Sequence, residues 1–281
     1  MLPTATKLIV FTDLDGCLLN KHDYDWSAAS ATLETLRARR VPVIMNSSKT
    51  VPEMTELANE LGLSGNTFIS ENGSVIYWGN EVLGLEHGRQ AGEIEVIGTS
   101  RDRILKVLHD LKQRYRFRSF ADLGLSGVVN ETQLSDAKAQ LALARQGTEP
   151  LLWEDTEEHR LEFAQALHGN QLSLTKGGRF WHVAGQTNKG KAMQIVAVRL
   201  SHADDKTILA AIGDSPIDQS MLDVADVPIG IPTTAGLGVS VDPQRGIVAA
   251  ELGAAGWASA ITQLLLRIDT AAADELNPPL D

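Results

Sequence analysis

Cysteine is almost missing from this chain: there is one, Cys17, in 281 residues. A lone cysteine excludes an internal disulfide framework and any multi-cysteine zinc site. Long apolar runs are missing as well. None approaches the roughly 20 residues that a membrane helix needs. The first, residues 8–11, is too short for a signal peptide and leads straight into acids. Positive charge is scarce: 25 Lys and Arg stand against 36 Asp and Glu, a net charge of −11. A general nucleic-acid binder would want a basic surface. Small anionic ligands stay open, because a few local cations override net charge at short range. Internal repeats and low-complexity stretches are also absent. The expectation is a soluble cytoplasmic protein without nucleic-acid or membrane partners, and of unassigned oligomeric state.

What is present suits a globular chain, with 43% apolar and 22% charged residues, and the length suggests about two domains. Leu8-Ile-Val-Phe-Thr12 reads as a buried strand that ends at Asp13. Asp25 or Ser27 could cap a helix running to about Arg39, with Leu33 and Leu36 facing inward. Val41-Pro-Val-Ile-Met45 is a second strand. Thr50 and Glu53 form a capping-box pattern for a helix closing near Gly62, and Thr67-Phe-Ile-Ser70 is a third strand. This strand–helix alternation implies a parallel sheet.

The rhythm changes after about Leu83. Strands are expected at 93–97 and 116–120, helices at 100–114, 135–145 and 156–167, and an extended segment at 151–153. Residues 171–175 and 179–183 form a hairpin around Lys176-Gly177-Gly178. Residues 121–131 show no clear period. The alternation resumes with a helix over 188–200, a strand over 207–212, a helix over 216–224 and a strand over 227–231. Residues 270–281 read as a loosely held tail. The fold class is therefore α/β: a Rossmann-like parallel-sheet core, residues 1–84 and 187–281, with an inserted α+β domain over 85–186.

In open α/β sheets, ligands bind beyond the carboxyl ends of the strands. Three such ends carry notable chemistry. Asp13-Leu14-Asp15-Gly16 places two carboxylates just past a buried strand, where they repel unless a cation or proton lies between them. An ordinary acidic turn with Asp15 as a helix cap is the competing reading. Gly213-Asp214-Ser215-Pro216-Ile217-Asp218 again breaks a β run into acids at a helix start, with pure capping as the competing reading, weakened by the first acid pair beside it. Two acid clusters at neighbouring strand ends make a site for a hard cation, with oxygen ligands suited to Mg²⁺. Ser47-Ser48-Lys49-Thr50 offers hydroxyls and an ammonium ahead of a helix N-terminus, where a phosphate can be held. Capping accounts for the hydroxyls but not for Lys49. Lys189, at the start of a helix, is either solvated or held against an anion.

In this order, the segments resemble the motifs of the haloacid dehalogenase-like phosphatases. Asp13-Leu-Asp15-Gly is similar to their first motif, Ser47 to their second, Lys189 to their third and Gly213-Asp214-Ser-Pro-Ile-Asp218 to their fourth. The insert is similar to the cap of the branch that includes sugar phosphatases. Pro42-Val-Ile-Met-Asn-Ser-Ser-Lys-Thr50, Ser70-Glu-Asn-Gly73 and Gly178-Arg-Phe-Trp-His182 resemble the mannosyl-3-phosphoglycerate phosphatase family. Two departures stand out: Cys17 replaces the Thr of the first motif, and Ile217 the Asn of the fourth, which removes an amide's hydrogen bonds.

The resemblance implies a Mg²⁺-dependent phosphatase acting on a hexosyl-3-phosphoglycerate. Asp13 would be the nucleophile and Asp15 the acid and base. Asp13, Asp15 (through its backbone carbonyl) and Asp214 would be the metal ligands. Ser47 and Lys189 would hold the phosphoryl group, with Ser215 and Asp218 supporting the metal shell. Substrate-binding candidates are Ser48, Lys49, Glu71, Asn72, Arg179 and His182. Arg179 is the first choice for the substrate's carboxylate because its planar fork suits one. A solvated hairpin residue is the alternative for Arg179, a satisfied buried histidine for His182, and a plain type I′ turn for Glu71-Asn72-Gly73. Phosphatases of sucrose-, trehalose- or hexose-phosphates, and a ligand-binding relative weakened at Ile217 and Cys17, are the competing functions.

Overall fold

The computed structural model describes residues 7–80, 92–201 and 206–276, with side chains described to residue 271. In chain order the first elements are β1 (Lys7–Thr12), α1 (Ser30–Ala38), β2 (Val43–Met45), α2 (Val51–Glu60), β3 (Phe68–Ser70) and β4 (Val75–Trp78). The middle of the chain holds β5 (Glu93–Val96), α3 (Arg101–Leu111), β6 (Phe117–Ser119), α4 (Phe120–Thr132), α5 (Asp136–Leu143) and β7 (Thr148–Trp153). There follow α6 (Glu157–Gly169), β8 (Leu172–Gly177), β9 (Phe180–Gly185) and α7 (Lys189–Leu200). The chain closes with β10 (Thr207–Gly213), α8 (Gln219–Asp223), β11 (Val227–Gly230), β12 (Ile247–Val248) and α9 (Gly253–Leu276).

Two compact units result, one from residues 1–45 with 197–281, the other from Asn46–Val196. This division places Ser47 and Lys189 in the second unit, whereas the sequence groups them with the core. The expected junction at residues 84–85 lies outside the described residues.

The first unit is built on a five-stranded parallel sheet in the order β12-β11-β10-β1-β2. Its strands are apolar without alternation because both faces are covered: Ile9, Val10, Phe11 and Ile212 have no exposure. From α9, the buried indole Nε1 of Trp257 donates to Oγ1 of Thr12 at 2.9 Å. That bond pins the end of β1 one residue before Asp13. Asp25 accepts from the N–H and hydroxyl of Ser27, but it opens a 3-10 turn over Ser27–Ala29 before α1 begins. Leu33 and Leu36 are buried as expected.

The second unit holds two antiparallel sheets, β3-β4-β5 and β6-β7-β9-β8. Thr50 and Glu53 form the expected capping box on α2. The α+β character of the insert is also borne out: Ile104, Leu108, Phe117, Leu151 and Phe163 pack helices onto the four-stranded sheet.

Three expectations need correction. The strand at Phe68–Ser70 does not join the parallel sheet; it pairs antiparallel with β4, keeping one parallel bridge from Ile69 to Asn46. A hairpin partner nearby in sequence closes at lower entropic cost than a crossover. Residues 120–132 are helical, begun by a capping box of Ser119 and Asp122, but Gly124 at φ 59° breaks the run, which erases a single period. Finally, α9 continues to residue 276 where a loose tail was expected from residue 270. The run Ala271-Ala-Ala-Asp-Glu-Leu276 has strong helix propensity and extends the helix it follows.

Candidate active site

In the first unit, β1 and β10 run parallel as neighbours, with Thr12 opposite Ile212. The strands end together, so Asp13 and Asp214 emerge at one edge, and the Asp13 N–H donates to the Ile212 carbonyl at 2.9 Å. Both are buried, at 7% and 2% exposure. Ligand atoms of Asp13, Cys17 and Asp214 lie within 4.8 Å of one another. Gly16 makes the turn that follows, at φ 101°, and a Cβ there would sit 2.5 Å from Oδ2 of Asp214. The glycine therefore both permits the turn and keeps space beside the carboxylate.

Lys21 enters this space. Its Nζ donates to the carbonyl of Asp15 at 3.1 Å and to Oδ2 of Asp214 at 3.4 Å. Partial burial lowers the affinity of this amine for its proton, but Asp214, Asp13 and Asp15 outweigh it and raise the pKa. The oxygens of Asp15 and Asp214 thus already hold a cation. This donor set fits a hard divalent ion, for which carboxylate and carbonyl oxygens are preferred; the Cys17 thiol is too soft a ligand to belong to it. A cavity of about 640 Å³ opens beside Asp214, walled in part by Lys21, His22, Thr233 and Thr234.

Asp218 is fully buried. Its Oδ2 accepts from the N–H of Asp214 at 3.2 Å and from the N–H and Oγ of Ser215 at 3.0 and 2.8 Å. The fourth acid is thus spent on fixing the turn that presents Asp214. Ser215 forms the other half of this capping box. Ile217 is half-buried, and the Asp218 bonds hold the Asp214 backbone without an amide at that position.

In the second unit, Ser47 is buried, and its N–H donates to Ile69 while its carbonyl accepts from the Asn72 N–H. The Lys49 carbonyl accepts from the Glu71 N–H and the Ser70 hydroxyl. Nδ2 of Asn46 donates to the carbonyl of Lys189 at 3.2 Å, which draws the Ser47 segment and Lys189 together. Lys189 is 3% exposed, so this ammonium is buried and not solvated. Gly73, at φ 95°, packs against the Asn188–Lys189 backbone; a Cβ would meet the Asn188 carbonyl oxygen at 2.2 Å.

The Glu71-Asn72-Gly73 turn differs from a two-residue type I′ turn. Four residues join β3 to β4, and Glu71, Asn72 and Gly73 all have positive φ. Glu71 is fully buried. Its carboxylate accepts from the N–H groups of Gln146 and Gly147 at 2.8 and 3.2 Å and from the Thr148 hydroxyl at 2.5 Å. Ser48 is half-buried, and its carbonyl accepts from Arg145.

The remaining two candidates part ways. Arg179 is exposed at the tip of the β8–β9 hairpin. His182 lies in β9 at 9% exposure, with Nδ1 lacking a hydrogen-bond partner. Burial, helped by the charge of Arg145, holds its pKa down at about 3, so the ring is neutral in use. Sequence reasoning missed Lys21 and Arg145. Lys21 left a trace as the one lysine in the acid-rich stretch from Asp13 to Asp25. Arg145 left none.

Residues 10–112 match the family model of the haloacid dehalogenase-like hydrolases. The chain is 33% identical over 269 residues to the glucosyl-3-phosphoglycerate/mannosyl-3-phosphoglycerate phosphatase of Methanococcoides burtonii, covering 92% of this chain and 97% of the relative. Among solved structures, a haloacid dehalogenase-like hydrolase from Bacteroides thetaiotaomicron superposes with a TM-score of 0.63 at 17% identity, over 92% of this chain and 99% of the other. The sucrose-phosphatase of Synechocystis, solved with sucrose and phosphate, gives 0.56 at 16% identity, over 94% and 98%. These two likenesses concern the fold.

Proposed function

Because the chain belongs to the mannosyl-3-phosphoglycerate phosphatase family of haloacid dehalogenase-like hydrolases, we propose that this phosphoric monoester hydrolase releases phosphate from a hexosyl-3-phosphoglycerate. Similarity to the Methanococcoides burtonii phosphatase over nearly the whole chain carries the choice of substrate. The insert over 85–186 supplies substrate choice, and the remaining residues supply the chemistry.

Asp13 attacks phosphorus. A bond forms from its carboxylate oxygen to phosphorus, and the bond from phosphorus to the glycerate oxygen breaks. Asp15 gives its proton to the departing alkoxide. It then takes a proton from the water that attacks the aspartyl-phosphate, and Asp13 leaves as a free carboxylate with inorganic phosphate released. Ser47 and Lys189 hold the phosphoryl oxygens as charge shifts among them. Asp13, Asp214 and the Asp15 carbonyl are the residues that would hold Mg²⁺. When bound, it offsets the repulsion between a carboxylate and a phosphate dianion. Asp218 and Ser215 keep Asp214 aimed.

The test is phosphate release, with and without Mg²⁺, from mannosyl- and glucosyl-3-phosphoglycerate beside a panel of hexose phosphates and sucrose phosphate. The expected result is Mg²⁺-dependent preference for a hexosyl-3-phosphoglycerate. Preference for a hexose or sucrose phosphate would discard the substrate and keep the chemistry. No release from any of them would favour a ligand-binding relative.

A further inference from the structure

Arg145 lies between α5 and β7; its guanidinium sits over the Phe120 ring, 5.9 Å from the centroid, and its hydrogen bonds run along one side only. Nη1 donates to the Ser48 carbonyl at 3.3 Å and to Oγ1 of Thr148 at 2.9 Å. Along the other edge, neither Nε nor Nη2 meets an acceptor among the described residues, and Nε is buried. Arg101 Nε meets the fully buried carboxylate of Glu149 at 2.7 Å. Arg145 has no carboxylate against it among the described residues. Glu71 is the nearest in bonding terms, but it is reached through Thr148, whose hydroxyl accepts from Arg145 and donates to Glu71.

This arrangement orients a charge without neutralising it. Glu71 fixes Thr148, and Thr148 with the Ser48 carbonyl fixes the fork, so little freedom remains to be lost when an anion binds. Folds seldom leave buried donors unused. Nε of Arg145 is one such donor, and Nδ1 of His182, which donates in the tautomer protonated there, is a second buried nitrogen without a partner. Burial and the nearby guanidinium keep His182 neutral, with its pKa held down at about 3, so it adds a hydrogen bond and no charge. The open edge of an arginine is the shape that takes a carboxylate bidentately. Ser48 adjoins Ser47, so the anchored side of the guanidinium is tied to the segment proposed to hold the phosphoryl group.

We propose that the Nε–Nη2 edge of Arg145, with Nδ1 of His182, forms the subsite that reads the carboxylate of a phosphorylated hydroxy acid. The proposal rests on the hexosyl-3-phosphoglycerate reading for its substrate, and it replaces Arg179 by Arg145 as the carboxylate's partner. Glu71 and Thr148 are positioning residues that act through Arg145.

The test compares two competitive inhibitors of the Mg²⁺-loaded enzyme, 3-phosphoglycerate and glycerol 3-phosphate. They differ by a carboxylate in place of a hydroxymethyl group. The wild type should bind 3-phosphoglycerate about 10- to 100-fold more tightly. Arg145→Met should bring that ratio close to one, and Arg145→Lys should fall between, keeping charge but losing the fork. A ratio that survives in Arg145→Met, or no preference in the wild type, overturns the proposal. Should both variants fail to fold, phenylglyoxal labelling of the wild type decides. At equal occupancy, 3-phosphoglycerate should shield Arg145 and glycerol 3-phosphate should not; equal shielding, or none, overturns it. A wild type that keeps the preference but hydrolyses no hexosyl-3-phosphoglycerate retains the subsite and loses the sugar reading. Turnover of that substrate with a preference independent of Arg145 does the reverse.

Discussion

The ammonium of Lys21 bridges the carbonyl of Asp15 and the carboxylate of Asp214, at 3.1 and 3.4 Å. These are two of the oxygens that the proposed mechanism assigns to a divalent cation. Two buried carboxylates, Asp13 and Asp214, face each other at this edge of the sheet, and a positive charge from the chain itself offsets their repulsion.

A cation that binds there must displace Lys21. Lys21→Met should therefore tighten Mg²⁺ binding about 2- to 5-fold, the range of a solvent-facing ion pair. It should also lower the melting temperature in EDTA. Calorimetric titration with Mg²⁺ and thermal melts without metal measure both. An unchanged or weaker affinity would show that Lys21 does not compete for these oxygens.

Asp13→Asn should lower kcat by about 10⁴-fold or more, as losses of a nucleophile do. The fold should stay intact, because the change also relieves repulsion with Asp214. Phosphate release and a melting curve on the same preparation check this. Substantial turnover in a well-folded Asp13→Asn protein would sink the covalent route.

Asp218→Ala removes the acceptor of three hydrogen bonds at the turn carrying Asp214. Stability should fall by about 2–3 kcal/mol, in keeping with the loss of hydrogen bonds to a buried charged group. Mg²⁺ affinity should fall about 10- to 100-fold, as for lost support behind a metal ligand. Asp218→Asn should recover much of the stability, since its oxygen can still accept from the Asp214 and Ser215 N–H groups. Denaturant melts and calorimetry would expose a purely structural role, in which stability falls and metal affinity does not.

His182 gives the protein a signature in acid. Its pKa is about 3 in the folded chain, held down by burial and by Arg145, against about 6.5 when unfolded. Between these values the unfolded chain binds the extra proton. The contribution of His182 is therefore complete above about pH 6.5 and is lost as pH falls toward 3. Its slope reaches up to about 1.4 kcal/mol per pH unit. His182→Gln should flatten the pH dependence of unfolding free energy between pH 7 and 5. Parallel slopes for the two proteins would remove His182 as the cause.

Short-range signals made much of the fold legible. The apolar run before Asp13, the capping box at Thr50 and Glu53, and the β8–β9 hairpin each involve residues close in sequence. The acids at the ends of β1 and β10 were legible for the same reason, because a buried strand and the polar residue that stops it are contiguous. Residues 120–132 escaped because Gly124 divides the helix and no single period survives. The end of α9 escaped because a weakly patterned alanine run extends a helix begun far upstream.

The sequence by itself determined the strand-end chemistry: Asp13, Asp15, Asp214 and the hydroxyls at Ser47 and Ser48 stand where apolar runs stop, and local hydropathy is enough to say so. Tertiary structure alone decided which charges are paired. Glu71 is taken up by Gln146, Gly147 and Thr148, some 75 residues away, and Arg101 is paired with Glu149. Arg145 reaches Ser48 across 97 residues and meets no carboxylate among the described residues, while Arg179 lies exposed at a hairpin tip. Whether a charge is spent or available depends on what long-range packing places against it, and that information is carried by no short stretch of chain.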